Sequence, residues 1–158
     1  MMCPICNRSH REDIRLGRQA RKRILIAEDE PEIASLMAYN LDQAGYDIAV
    51  ADDGVAALAS LDVLRPDLLI LDLLLPLRSG WQILRHMRAC GGSRLSRVPV
   101  VVVTALACDR LARELSQSGA QRLLGKPFSV AQLLSAVAEL LAEEPVRIHE
   151  HFIQPSPF

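Results

Sequence analysis

Short apolar runs alternate with stretches of helical periodicity along most of the 158-residue chain. Each apolar run has the length of a strand, and each is followed by apolar residues that recur at helical spacing. Nearly continuous apolar strands are typical of parallel sheets, because helices cover both of their faces. The pattern predicts a doubly wound α/β fold, in which a five-stranded parallel sheet carries helices on both faces. The predicted strands are 23–27, 46–51, 67–72, 98–104 and 121–125.

Proline and glycine residues mark where the predicted helices begin and end. The first helix begins at Pro31, a tolerated first-turn position, and stops at Gly45. The second, at 53–64, ends before Pro66, since a residue that precedes proline disfavours helical backbone. The remaining helices are predicted at 80–90, 109–118 and 130–142.

Charge is distributed unevenly along the chain. Residues 1–23 contain seven Arg or Lys residues and two acidic ones, whereas the net charge of the whole chain is −1. We therefore expect a basic, flexible arm at 1–22 and a folded domain at 23–143, followed by a flexible tail at 144–158. Half of the residues are hydrophobic, which favours a globular domain over a disordered or fibrous chain.

Nothing in the sequence indicates membrane insertion or secretion. The longest apolar runs are far shorter than the roughly 20 residues that span a bilayer. The N-terminus lacks a positively charged segment followed by an apolar one, so no secretory signal is expected. We predict a cytoplasmic protein without a membrane span, in which the four cysteines stay reduced.

Polar and charged residues stand where the predicted strands end. They are Glu28 and Asp29 after the first strand, Asp72 at the end of the third, Thr104 at the end of the fourth and Lys126 after the fifth. In a doubly wound sheet these ends meet at one edge, where ligands bind. Three carboxylates there repel one another unless a cation lies between them, and Mg²⁺ prefers such oxygen ligands. A carboxylate can also attack phosphorus when a metal and a lysine neutralise the charge.

The chain resembles the response-regulator receiver domain of two-component signalling in four segments. In chain order they are ILIAEDEP, LLILDLLLPLRSG, VVVVTA and GKPF. Pro76 and Gly80 lie four and eight residues after Asp72, which agrees with the family's spacing. Pro127 follows Lys126, as in the family. The resemblance covers the whole predicted domain and implies the flavodoxin-like receiver fold.

The resemblance also implies a modified residue and a metal site. Asp72 would accept the phosphoryl group and become 4-aspartylphosphate. Asp29 and Glu28 would bind Mg²⁺ together with Asp72. The backbone carbonyl of Leu74 would supply a further oxygen to the metal.

Thr104 and Lys126 would act on the phosphoryl group, the first by a hydrogen bond and the second by an ion pair. The peptide bond between Lys126 and Pro127 would be cis. Leu123 departs from the family pattern, which usually has Tyr or Phe three residues before the lysine. This departure leaves open whether phosphorylation switches the chain in the usual way. It also leaves an alternative function, a receiver-like protein-interaction module that is not phosphorylated.

The resemblance implies a phosphorelay response regulator rather than an enzyme that turns over a metabolite. A sensor histidine kinase or a histidine phosphotransfer protein would donate the phosphoryl group. The chain would assist only its own phosphorylation and dephosphorylation. Fifteen residues follow position 143, so we expect no DNA-binding domain, an output through a downstream protein, and a monomer or weak dimer.

Two other functions fit parts of the sequence. A phosphatase-like hydrolase with Asp72 as nucleophile would need a second acid two residues later, where this chain has Leu74. Cys3, Cys6 and His10 resemble half of a zinc knuckle, which needs four ligands. A metal site or a nucleic-acid contact in the basic arm would be compatible with the receiver function.

Overall fold

A computed structural model describes residues 21–89 and 91–142. Within them, five parallel strands form one sheet in the order β2-β1-β3-β4-β5, as the predicted fold class requires. The strands are β1 Arg23–Ala27, β2 Asp47–Ala51, β3 Leu68–Asp72, β4 Val100–Thr104 and β5 Arg122–Gly125. The helices are α1 Pro31–Gln43, α2 Gly54–Leu64, α3 Gly80–Ala89, α4 Asp109–Gln117 and α5 Val130–Leu141.

All ten predicted elements are present, and their bounds differ from the predicted ones by at most two residues. β4 begins at Val100 rather than at position 98, because Pro99 has no N–H to donate to the sheet. A short 3₁₀ helix at Leu95–Arg97, between α3 and β4, was not predicted. Its three residues are too few to leave a periodic apolar pattern in the sequence.

Some predictions concern residues outside the described ranges. The predicted arm at 1–22 and tail at 144–158 lie almost entirely there, and so do Cys3, Cys6 and His10. Between positions 21 and 142, leaving out position 90, no helix is long and apolar enough to cross a membrane. The cytoplasmic location and the division of the chain into arm, domain and tail stay predictions.

The core lies on both faces of the sheet, because successive strand side chains point to opposite sides. All residues of β3 and β4 are buried, as expected of strands covered by helices on both faces. One face packs against α1 and α5, and the other against α2, α3 and α4. Strand residues on the first face include Ile24, Ile26, Leu68, Ile70, Val101 and Val103. Those on the second include Leu25, Ala27, Leu69, Leu71, Val100 and Val102.

Side-chain caps fix the start of two helices. The Asp53 carboxylate accepts hydrogen bonds from the N–H groups of Val55 and Ala56, both at 2.7 Å, at the start of α2. Ser129 and Gln132 form a capping box at the start of α5, in which each side chain bonds the other residue's N–H. Such caps satisfy N–H groups that have no partner within the helix, so each helix can begin soon after a strand ends.

Gly80 allows α3 to begin directly against the end of β3. Its N–H donates a hydrogen bond to the carbonyl of Leu73 at 3.1 Å. A Cβ at position 80 would collide with the carbonyl oxygen of Asp72 and would lie 2.8 Å from the Cα of Leu73. Only a residue without a side chain therefore allows the backbone at position 80 to pass this close to Asp72 and Leu73.

We expect Gly80→Ala to lower the free energy of unfolding by about 2 kcal/mol, the usual scale of overpacking in a close-packed region. Elsewhere in a helix, alanine in place of glycine would stabilise the fold by roughly 1 kcal/mol. Urea unfolding measures the difference. Gly91→Ala is the control, because a Cβ at position 91 has no atom within 4 Å. Equal stability of the two variants would contradict the close-approach explanation.

Candidate functional site

The predicted site residues meet at one edge of the sheet. The parallel register brings the ends of β1, β3, β4 and β5 level with one another. Asp72 and Thr104 are the last residues of β3 and β4, and Glu28 and Lys126 directly follow β1 and β5. Glu28, Asp72 and Thr104 are also the buried polar or charged residues of the described chain. This edge therefore concentrates polar groups that the rest of the core excludes.

Three carboxylates form an acidic cluster here, made of Glu28, Asp29 and Asp72. One oxygen from each lies within 4.8 Å of the others. Glu28 and Asp72 are buried, whereas Asp29 is exposed. Such a set of oxygen donors suits Mg²⁺, which takes a few carboxylates and completes its octahedron with water or phosphate oxygens.

The Lys126 ammonium lies among three carboxylates. Its Nζ is 2.8 Å from Asp72 Oδ2, 2.9 Å from Glu28 Oε2 and 3.0 Å from Glu30 Oε1. Burial lowers the pKa of Lys126, but the three carboxylates together raise it by more than burial lowers it. The pKa of Lys126 therefore stands above its ordinary value. The side chain is 11% exposed and carries its positive charge at neutral pH.

Glu30 was not among the predicted site residues. Its carboxylate contacts Lys126 from the rim of the site, where its side chain is 60% exposed. The sequence does contain a signal, since the acidic run 28–30 begins where β1 ends. That run alone does not say which of its members faces the lysine.

Glu28 has a carboxylate oxygen without a hydrogen bond. Oε1 accepts from the N–H of Glu30 at 3.2 Å. Oε2 is buried and has no hydrogen-bond partner among residues 21–89 and 91–142. Its 2.9 Å separation from Lys126 Nζ makes an ion pair but lacks hydrogen-bond geometry. Burial raises the pKa of Glu28, and the groups that oppose this rise, Lys126 and the Glu30 N–H, do not cancel it.

The residues present fit a divalent cation on two counts. The donor set of the acidic cluster is made of oxygens, which is the chemistry that Mg²⁺ selects. Glu28 belongs to this set, and its Oε2 atom is buried and accepts no hydrogen bond from the described residues. A cation among these oxygens would reduce their mutual repulsion. It would also stabilise the negative charge of Glu28, which burial disfavours.

Asp72 and Thr104 are held by the loops that follow their strands. Asp72 Oδ1 accepts a hydrogen bond from the N–H of Leu74 at 2.9 Å. Thr104 Oγ1 accepts one from the N–H of Leu106 at 3.2 Å. Leu74 thus contacts Asp72 through its N–H. That the carbonyl of Leu74 binds the metal stays a prediction. The exposed side chains of Leu74 and Leu106 line a cavity of about 250 Å³ beside the site, together with Trp81.

Two expectations concern the segment around Lys126. The peptide bond between Lys126 and Pro127 is cis, as the resemblance implied. Leu123, which replaces the usual aromatic residue, is partly buried and packs on the core between the sheet and α2, α3 and α4. The N–H of Lys126 donates to the carbonyl of Thr104 at 2.9 Å, so β4 positions the start of the lysine loop.

Comparison with protein families identifies residues 24–138 with the model of the response regulator receiver domain. Two solved receiver structures have the same fold. The receiver domain of the sensor histidine kinase PA1611 from Pseudomonas aeruginosa PAO1 has a magnesium ion coordinated in its active-site cleft. It is 29% identical, with a TM-score of 0.70, over 78% of this chain and 100% of that one. Chemotaxis protein CheY4 of Vibrio cholerae is 28% identical, with a TM-score of 0.71, over 77% and 100%.

Curated relatives include longer proteins. The DNA-binding dual master transcriptional regulator RpaA of Synechocystis is 40% identical over 119 residues, which are 75% of this chain and 48% of RpaA. The DNA-binding response regulator MtrA of Mycolicibacterium smegmatis is 39% identical over 118 residues, which are 74% of this chain and 49% of MtrA. The chain thus spans about half the length of these relatives.

These relatives correct the prediction about partners. The expectation of no DNA-binding domain and an output through a downstream protein was wrong, because relatives that match this region are named as DNA-binding regulators. It treated the fifteen residues after position 143 as evidence about effector domains, which their number does not provide. The expected monomer or weak dimer rested on the same single-domain picture and is withdrawn with it.

The raised pKa of Glu28 leads to a prediction about stability. A carboxyl group whose pKa is raised by folding contributes stability below its unfolded pKa and loses it as pH rises through the folded value. In metal-free protein, Glu28→Gln should therefore raise the free energy of unfolding by roughly 1 kcal/mol at about pH 7, the scale of an unsatisfied buried polar atom. The gain should vanish below about pH 4, where the wild-type carboxyl group is neutral.

Urea unfolding in the presence of a chelator, at both pH values, measures this effect. Glu32→Gln removes an exposed charge from the first turn of α1 and should change stability little at either pH. A lower stability of Glu28→Gln at neutral pH would mean that the ion pair with Lys126 outweighs the burial of the carboxylate, contrary to the prediction.

Proposed function

Because the chain belongs to the response regulator receiver family, we propose that Asp72 accepts a phosphoryl group in a phosphorelay. The donor would be a phosphohistidine on a histidine kinase or on a phosphotransfer protein. The observation that carries the proposal is the position of the Asp72 carboxylate. It is 5% exposed, belongs to the acidic cluster and has its Oδ2 atom 2.8 Å from Lys126 Nζ.

The other site residues receive roles from their positions. Glu28, Asp29 and Asp72 would hold Mg²⁺, which neutralises charge on the phosphoryl group during transfer. Lys126 would pair with the phosphoryl group on Asp72, since it already bonds Oδ2 of that carboxylate. Thr104 would donate its hydroxyl proton to a phosphoryl oxygen. Its oxygen accepts the hydrogen bond from the Leu106 N–H, so the proton is available for this second bond. The PA1611 receiver, with its magnesium ion, supports the metal assignment by similarity.

We propose that the chain catalyses only its own phosphorylation and dephosphorylation. The apolar side chain of Leu74 follows two residues after Asp72, so the chain has no acid at that position to protonate a leaving alcohol. Phosphotransfer from histidine needs no such acid, because the imidazole leaves as a neutral ring when its second nitrogen carries a proton. The receiver domain proposed for this function is 23–143, which includes the region matched by the family model.

Incubation with acetyl phosphate and Mg²⁺, followed by intact-mass spectrometry, tests the proposal. The protein should gain one phosphoryl group, and a chelator or Asp72→Asn should abolish the gain. Asp62→Asn, an exposed acid on α2, is the matched control and should be phosphorylated like the wild type.

A folded protein that takes no phosphoryl group from acetyl phosphate or from a panel of histidine kinases would contradict the proposal. That result would favour the alternative, an interaction module that is not phosphorylated. Phosphorylation that persists in Asp72→Asn would place the acceptor elsewhere and would also contradict it.

A further inference from the structure

Glu30 contacts the site lysine without belonging to the acidic cluster. Its backbone is fixed, since its N–H bonds Glu28 Oε1 at 3.2 Å and its carbonyl accepts the N–H of Ala34 at 2.9 Å in α1. Its side chain is 60% exposed and reaches back to Lys126 Nζ, at 3.0 Å. Glu30 is therefore anchored at its backbone while its carboxylate is free to leave the lysine for water.

Carboxylates crowd the lysine. Of its three N–H donors, one bonds Asp72 and one bonds Glu30, while Glu28 Oε2 lies 2.9 Å from Nζ as an ion pair. A phosphoryl group on Asp72 would bring further oxygens that need the same ammonium. Of the three carboxylates, Glu30 can release the ammonium group at least cost, because its side chain is 60% exposed and water can solvate its oxygens. Glu28 and Asp72 are buried and have no such alternative.

We infer that Glu30 competes with the incoming phosphoryl group for Lys126 and thereby slows phosphorylation of Asp72. The inference rests on the proposed function and adds a regulatory residue to it. Glu30 acts as a positioning residue, because it affects the reaction through the lysine and lies outside the set of oxygens that would hold the metal. Its negative charge at the rim also repels an anionic donor.

The expected effect is modest because Glu30 is mostly exposed. Glu30→Gln should accelerate phosphorylation by acetyl phosphate roughly two- to fivefold, as expected when one exposed ion pair is removed. The acceleration should shrink at high ionic strength, since salt screens charges near the surface. A purely structural effect of the substitution would not depend on salt in this way.

Two further variants separate the contact from the charge. Glu32→Gln removes the same charge two residues later, and within the described residues Glu32 makes no ion pair or side-chain hydrogen bond. It should be phosphorylated at the wild-type rate. Glu30→Asp keeps the charge but shortens the reach towards Lys126, so it should be faster than the wild type. A general effect of negative charge near the site would leave Glu30→Asp at the wild-type rate.

The experiment follows phosphorylation of the wild type and the three variants over time by intact-mass spectrometry, at saturating Mg²⁺ and at low and high salt. Faster Glu30→Gln and Glu30→Asp, with unchanged Glu32→Gln, supports the inference. If Glu30→Gln is no faster than the wild type while the wild type is phosphorylated, the inference is overturned and the proposed function stands. If the wild type takes no phosphoryl group, both are overturned.

Discussion

A single ammonium group balances three carboxylates at the carboxyl edge of the sheet, and the site depends on this balance. Lys126 Nζ lies within 3.0 Å of an oxygen from each of Asp72, Glu28 and Glu30. Two of these acids are buried, and a buried charge without a partner strongly destabilises a fold. One positive charge is too little to neutralise them together with Asp29. The site therefore remains negative overall and suited to a cation.

The order of the strands explains why these groups meet. β3 lies between β1 and β4, which brings Asp72 beside Glu28 on one side and Thr104 on the other. β5 extends the sheet beyond β4 and supplies Lys126 from its end. Gly80 completes the arrangement, since α3 can begin against the backbone of Asp72 only where a side chain is absent. The close-packed core on both faces then holds the charged edge in place.

Most of the fold and the three acids of the acidic cluster could be predicted, because apolar runs and the residues at their ends are visible in the sequence. The contact of Lys126 with Glu30 could not, since it joins positions 96 residues apart and depends on the direction in which α1 leaves β1. The hydrogen bond from Leu74 to Asp72 likewise depends on local backbone geometry. The error about DNA binding had another cause. It came from the number of residues after position 143, and not from the chemistry of the site.

Phosphorylation should bring Lys126 into contact with the added phosphoryl group while a cation binds among the acids. A crystal structure of the protein with Mg²⁺ and beryllofluoride, a stable mimic of a phosphoryl group on aspartate, tests this most directly. We expect an adduct on Asp72 and a metal ion held by Glu28, Asp29 and Asp72. Lys126 should be bonded to a fluorine and separated from Glu30. A structure without an adduct or metal at these acids, with Lys126 still bonded to Asp72 and Glu30, would contradict it.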